Sequence, residues 1–258
     1  MTQSLHPAAQ KGFSSAAELY QQVRPSYPQD IVHWLRDQLQ LGEHSQVIDL
    51  GSGTGKFLPY LKQLTSHIIA VEPIQAMLAQ LQQTYPNIQT LQASSENLPL
   101  APHSIDAVIC AQSFHWFAHL ETLTQIHQVL KPSGHLALIW NQRDVQVDWV
   151  QALAERIQPL EGNTPRYHNG QWKQVFEQQA LFQLVDTHTF QQHHIGTVEQ
   201  VVSKRLLSTS FIAAMSEYEQ QQLKTEFEQI VLAYTGKHPQ DEIAFPYITF
   251  AYDFKKMN

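Results

Sequence analysis

The chain has almost no cysteine: Cys110 is the only one among 258 residues. An internal disulfide and a cysteine-held metal cluster are therefore excluded. Cys110 sits in an apolar run and reads as a small buried hydrophobe rather than a nucleophile. No apolar run approaches the ~18 residues of a membrane span, so no membrane partner is expected. Residues 1–12 lack the basic start and apolar core of a secretory signal, which points to a cytoplasmic protein. Positive charge is scarce too. Sixteen Lys and Arg stand against 23 Asp and Glu, for a net charge of −7. Without a dense basic run, a nucleic-acid partner is not expected. The fourteen histidines are scattered. Only His193 and His194 are adjacent, and strand neighbours face opposite ways, so no metal site is expected.

What is present is rhythm. Short apolar strands at 46–50, 67–71, 88–92, 105–110 and 135–140 alternate with amphipathic helices at 55–64, 74–83 and 120–130. Residues 14–22 read as a helix. A second begins at Pro28, with Ile31, Leu35 and Leu39 on one face and Gly42 closing it. Residues 131–134 stop the helix that ends at Leu130. The alternation predicts βαβ units: an α/β, Rossmann-like, doubly wound, mainly parallel sheet of seven strands, with helices on both faces and a helical cap. Residues 142–180 carry no strong strand and read as helices and loops. Strands are expected again at 181–188 and 246–254, the latter at or near the sheet edge. Helices are expected at 198–207 and 216–234. Three regions follow: N-terminal helices over the site (1–42), a cofactor-binding core (43–141), and a cap with late strands (142–258).

In an open parallel sheet, ligands sit beyond the carboxyl ends of the strands. The first such loop is Gly51-Ser52-Gly53-Thr54-Gly55, directly after Asp49 and Leu50. Glycine lets the backbone take positive φ and lets a ligand approach it closely. The next loops begin at Glu72-Pro73, at Ala93-Ser94-Ser95-Glu96, at Ala111-Gln112-Ser113-Phe114-His115-Trp116-Phe117, and at Asn141. A carboxylate ending the second strand suits two ribose hydroxyls.

This ordered set resembles the class I S-adenosylmethionine-dependent methyltransferases, and within them the type 11, trans-aconitate methyltransferase-like branch that acts on small molecules. Resemblance is strongest from Phe13 to Asp144 and includes the stretch from Tyr20 to Pro28. It implies S-adenosylmethionine as cofactor and a small-molecule methyl acceptor. Asp49, Gly51, Ser52, Gly53, Thr54 and Gly55 would hold the methionine part, and Glu72 the ribose. Pro73 and Met77 would flank the adenine, with Ser94, Ser95 and Glu96 at its polar edge. Many relatives carry aspartate where Ser94 stands. Ala111 and Gln112 would line the sulfonium end, with Tyr20 and Arg24 closing over it. Phe114, His115, Trp116 and Asn141 would shape the acceptor pocket, with His115 as a base or a positioning group. Arg143, Arg166 or Lys173 would recognise an anionic acceptor.

Two other readings stand beside it. A nicotinamide-dependent oxidoreductase shares the strand, glycine turn and acidic strand end. Its Gly-x-Gly-x-x-Gly spacing is not met, because the third glycine comes one residue early, at Gly55. A non-catalytic S-adenosylmethionine-binding module is compatible with every motif above. Oligomeric state, monomer or dimer, is left open.

Overall fold

The computed structural model describes residues 23–177 and 179–257. The helix expected at 14–22, and Tyr20 within it, lie outside the described residues. The first described helix is α1 (Ile31–Gln38), which buries Ile31, Val32, Trp34 and Leu35. The alternation then runs β1 (Val47–Leu50), α2 (Leu58–Leu61), β2 (Ile68–Val71), α3 (Gln75–Thr84), β3 (Gln89–Leu91), β4 (Ile105–Ala111), α4 (Leu120–Val129) and β5 (Leu130–Arg143). Next come α5 (Asp148–Ile157), β6 (Phe182–Thr197), a π-helical stretch Val198–Lys204, α6 (Arg205–Leu207), α7 (Ser210–Ala213), α8 (Glu217–Thr235) and β7 (Glu242–Lys256).

The seven strands form one sheet in the order β3-β2-β1-β4-β5-β7-β6. β1 to β5 pair in parallel, and β7 lies antiparallel between β5 and β6. The order reverses direction at β1, between β2 and β4. This is the point where an open α/β sheet leaves a crevice.

The central strands β1, β2, β4 and the middle of β5 are buried and largely apolar because both faces are covered. Val47, Ile109 and Ile139 pack with α1 and α2 on one face. Their neighbours Ile48, Val108 and Leu138 pack with α4 residues Leu123 and Ile126 on the other. A third cluster joins α5, the π-helical stretch and α8 to Phe245 and Tyr247 of β7, forming the cap. A capping box, Ser216 with Glu219, starts α8, and Gly236 at φ 69° ends it.

Four departures from the sequence pattern bear on the site. The helix expected at 55–64 shrinks to the single turn of α2, because the glycine loop keeps turning through Gly55 at φ 84°. The 131–134 stop becomes part of β5, with Ser133 at φ 63° and a register irregularity opposite Ile105–Ala107. β5 also runs three residues past Trp140, since Asn141, Gln142 and Arg143 pair with Thr249, Ile248 and Tyr247. Finally, β6 extends to Thr197. Its polar second half carries no apolar signal and is held by backbone pairing to β7.

Candidate active site

The carboxyl ends of β1, β2, β4 and β5 converge on a cleft. Its walls include Asp49, Gly51, Ser52, Gly53, Thr54, Glu72, Pro73, Met77, Ala111, Gln112, Trp116 and Asn141, together with Arg24. The sheet register explains the convergence: Leu50 lies level with Val71, and Asp49 with Ile109.

The glycine loop is fastened to β2. The Gly51 and Ser52 amides donate to the Val71 carbonyl at 2.8 and 3.0 Å. Gly51 has φ 69°, and a Cβ there would fall 2.6 Å from Ser113 Cβ. Ser113 in turn donates to the Leu50 carbonyl at 2.6 Å, closing the β1 and β4 loops against each other. Gln112 carries φ 64°, which costs a non-glycine residue strain of about 1–3 kcal/mol. Its amide donates to Ile139 O at 2.8 Å and its side chain to Asn141 O at 3.0 Å.

Two carboxylates define the cleft's charge. Glu72 is buried, and its oxygens accept from the Gly53 and Ile74 amides, each at 2.9 Å. Burial nevertheless pushes its pKa up to about 7. Asp49 is likewise pushed up to about 7, by burial and then by the charge of Glu72. One Asp49 oxygen, Oδ2, is buried with no hydrogen-bond partner. A desolvated acid pair with an orphaned oxygen calls for a ligand with cationic and donor groups. S-adenosylmethionine carries a sulfonium, an ammonium and two ribose hydroxyls, so these residues fit it.

A second chamber adjoins the first and shares Arg24, Gln112, Trp116, Asn141 and Arg205 with it. His115, Arg143 and Arg166 belong to this chamber. The Trp140 indole N–H donates to His115 Nδ1 at 3.1 Å. Burial, then the charges of Arg166, Arg24 and His168, lowers the His115 pKa to about 3. Asn141 is fixed from two sides: it donates to Ser26 O at 2.9 Å and accepts from Thr249 Oγ1 at 2.6 Å. The 158–177 segment closes over this end through tilted ring contacts, with Trp140 4.5 Å from Trp172 and 5.0 Å from Tyr167.

Several residues singled out from the sequence lie elsewhere. Gly55 packs under Leu58 and Tyr85, away from the cleft. Ser95 is buried against Thr122 of α4, with its hydroxyl 2.8 Å from Thr122 Oγ1. Glu96 pairs with His119 at 2.8 Å, and Ser94 bonds to Glu96. None of the three lines the cleft: Ser95 finds its partner in Thr122 of α4, Glu96 in His119 at the cap of α4, and Ser94 in Glu96. Phe114 is fully buried against Phe117 and Phe176, so it supports the acceptor loop from behind and does not line it. Lys173 lies over the Trp172 ring, outside both chambers. Arg24 is anchored across the chain, donating to Ser208 Oγ and O at 3.1 and 2.8 Å.

Arg205, Thr209 and Ser210 were missed as wall residues. The resemblance to the family extends loosely to residues 205–210 but gives them no place in the site; the folding of that stretch back over Arg24 brings them there.

The comparisons with known proteins agree with this geometry. The family model for the methyltransferase domain matches residues 48–138. An uncharacterized methyltransferase-like protein of Schizosaccharomyces pombe is 33% identical over 249 residues, covering 95% of this chain and 96% of the relative. An uncharacterized methyltransferase of Mycobacterium tuberculosis is 34% identical over 190 residues, covering 69% and 76%. Among solved structures, a candidate type II methyltransferase from Anaeromyxobacter dehalogenans aligns at TM-score 0.64 and 19% identity, over 90% of this chain and 96% of that one. The [4+2]-cyclase SpnF aligns at TM-score 0.57 and 12% identity, over 96% and 95%; at such identities the likeness bears on fold alone. Fold, glycine loop and near full-length relatives lead to one assignment: the chain belongs to the class I S-adenosylmethionine-dependent methyltransferases.

Proposed function

We propose that the chain transfers a methyl group from S-adenosylmethionine to an oxygen of a small-molecule acceptor, a carboxylate above all. The observation that carries this is the meeting of an acid-floored cleft with a guanidinium-lined chamber. Asp49 and Glu72 floor the first, Arg143 and Arg166 line the second, and Arg24 and Arg205 border both.

When bound, S-adenosylmethionine supplies a methyl carbon made electrophilic by its sulfonium. The chain's own work is alignment and exclusion of water. Glu72 is the acceptor for ribose hydroxyls, since its two backbone contacts hold the carboxylate at the strand end. Asp49 Oδ2 offers an unsatisfied acceptor to a cationic or N–H donor group. Pro73 and Met77 give an apolar wall for the base. Gln112 and Asn141, pinned by the contacts above, form the partition between donor and acceptor.

His115 supports positioning rather than base catalysis. An indole N–H can only donate, so His115 Nδ1 is unprotonated and occupied, and the ring proton sits on Nε2. Such an imidazole is a neutral hydrogen-bond donor. A phenol or ammonium acceptor needs a base that His115 does not provide, whereas a carboxylate is ionised at neutral pH and needs none.

The test is incubation of the full chain with methyl-labelled S-adenosylmethionine and a panel of carboxylates, phenols and amines. Base-labile label in carboxylates alone is the expected result. Label confined to phenols or amines contradicts the acceptor class, and cofactor binding without transfer to any acceptor favours the non-catalytic module.

A further inference from the structure

Two residues that border the donor cleft carry buried side-chain atoms without a hydrogen-bond partner, and the two atoms are of opposite kind. Asp49 Oδ2 is an acceptor and Arg205 Nε is a donor. Asp49 stands in β1, just before the glycine loop. Arg205 opens α6, in the cap.

Three cations stand at this cleft, Arg24, Lys56 and Arg205, and two of them have structural duties. Arg24 donates to Ser208 Oγ and Ser208 O at 3.1 and 2.8 Å. Lys56 Nζ donates to the Arg24 carbonyl at 2.8 Å. Ser208 Oγ in turn donates to the Arg205 carbonyl at 2.7 Å. These contacts fix the backbone of Arg24 and Arg205 and leave the Arg205 Nε–H unsatisfied. The three charges also bear on one another: burial, then Arg24 and Arg205, lowers the Lys56 pKa to about 8. A buried guanidinium N–H without an acceptor is costly, and cationic neighbours add to the cost. A carboxylate removes both penalties, because it neutralises the charge and accepts in pairs from a planar fork. An orphaned acceptor and an orphaned donor on one cleft together call for a ligand with an ammonium and a carboxylate, the two ends of an α-amino acid.

We infer that Arg205 holds the α-carboxylate of the methionine part of S-adenosylmethionine, opposite the ammonium that Asp49 takes, so that the cap completes the donor site. The inference rests on this cleft being the donor site. Arg205 is then a binding residue for the donor as well as a wall of the acceptor chamber. The turn that carries Thr209 and Ser210 into that chamber begins at a residue the cofactor engages.

The experiment is calorimetry on the full chain with S-adenosylhomocysteine and with S-adenosyl-3-thiopropylamine, which keeps the nucleoside, sulfur and ammonium and lacks only the carboxylate. The wild type should bind S-adenosylhomocysteine at least about tenfold tighter than the decarboxylated analogue. Arg205→Gln should weaken S-adenosylhomocysteine by about tenfold or more and leave the analogue within about twofold, closing the gap. Arg205→Met, which keeps the packing of the side-chain stem, should do the same. Arg205→Lys keeps the charge, loses the fork and should reopen part of the gap. Equal losses for both ligands in the glutamine and methionine variants would mark a merely structural role and overturn the inference, as would a gap that survives both substitutions. In either case the nucleoside still binds and the donor site stands. A wild type that binds neither ligand sinks the donor site, and the inference with it.

Discussion

Trp140 and His115 are joined at 3.1 Å by an indole N–H that enters the imidazole Nδ1, and that contact decides what the histidine can do. The ring is held as an acceptor on one side and a donor on the other. Its pKa is depressed to about 3 from an ordinary 6.5. For a base whose folded pKa lies below its unfolded one, the native state favours the neutral form. That stability is fully present above pH 6.5 and declines as pH falls toward 3. The His115 ring should therefore stay neutral at pH 5.5 by nitrogen NMR, and Trp140→Phe should raise its titration. A wild-type midpoint near 6.5 would contradict the assignment.

Glu72 and Asp49 have the opposite sign. Their carboxyls are raised to about 7, so the empty protein holds protons that its unfolded chain has lost. Stability from this source is full below about pH 4, where unfolded carboxyls are also protonated, and is lost as pH rises toward 7. In thermal melts without cofactor, Glu72→Gln should gain on wild type between pH 5 and pH 7.5. A constant difference across that range would show that Glu72 is not held protonated.

Gly51 and Gly162 both have positive φ, at 69° and 54°, but different surroundings. Gly162→Ala meets open space and should cost about 1 kcal/mol of backbone strain. Gly51→Ala adds the clash with Ser113 and should cost about 2–4 kcal/mol and weaken cofactor binding. Chemical denaturation reads both, and equal losses would mean that the β1 and β4 loops are not in tight register.

Much of this was readable in the residues. Strand ends at Asp49, Glu72, Ala111 and Asn141 follow from apolar runs, and strand order then delivers them to one cleft. Gly51 and Gly53 announce their turn because no other residue sits there cheaply. What escaped was whatever depends on long-range pairing. The polar half of β6 is a strand only because β7 runs beside it, and β5 passes Trp140 for the same reason. Ser95 and Glu96 sit at a strand end as expected, yet Thr122 and His119 of the facing segment turn them aside. Arg205 and Ser210 reach the acceptor chamber through tertiary folding that periodicity does not encode.

The grip of the β1 loop and the β2 acid on a nucleoside is tested most directly by titrating the full chain with S-adenosylhomocysteine and with NADH. The account predicts one-to-one binding of the first, weakened about tenfold or more by Glu72→Gln and by Asp49→Asn, and no binding of the second. Binding of NADH, or an affinity for S-adenosylhomocysteine that neither substitution alters, would contradict it.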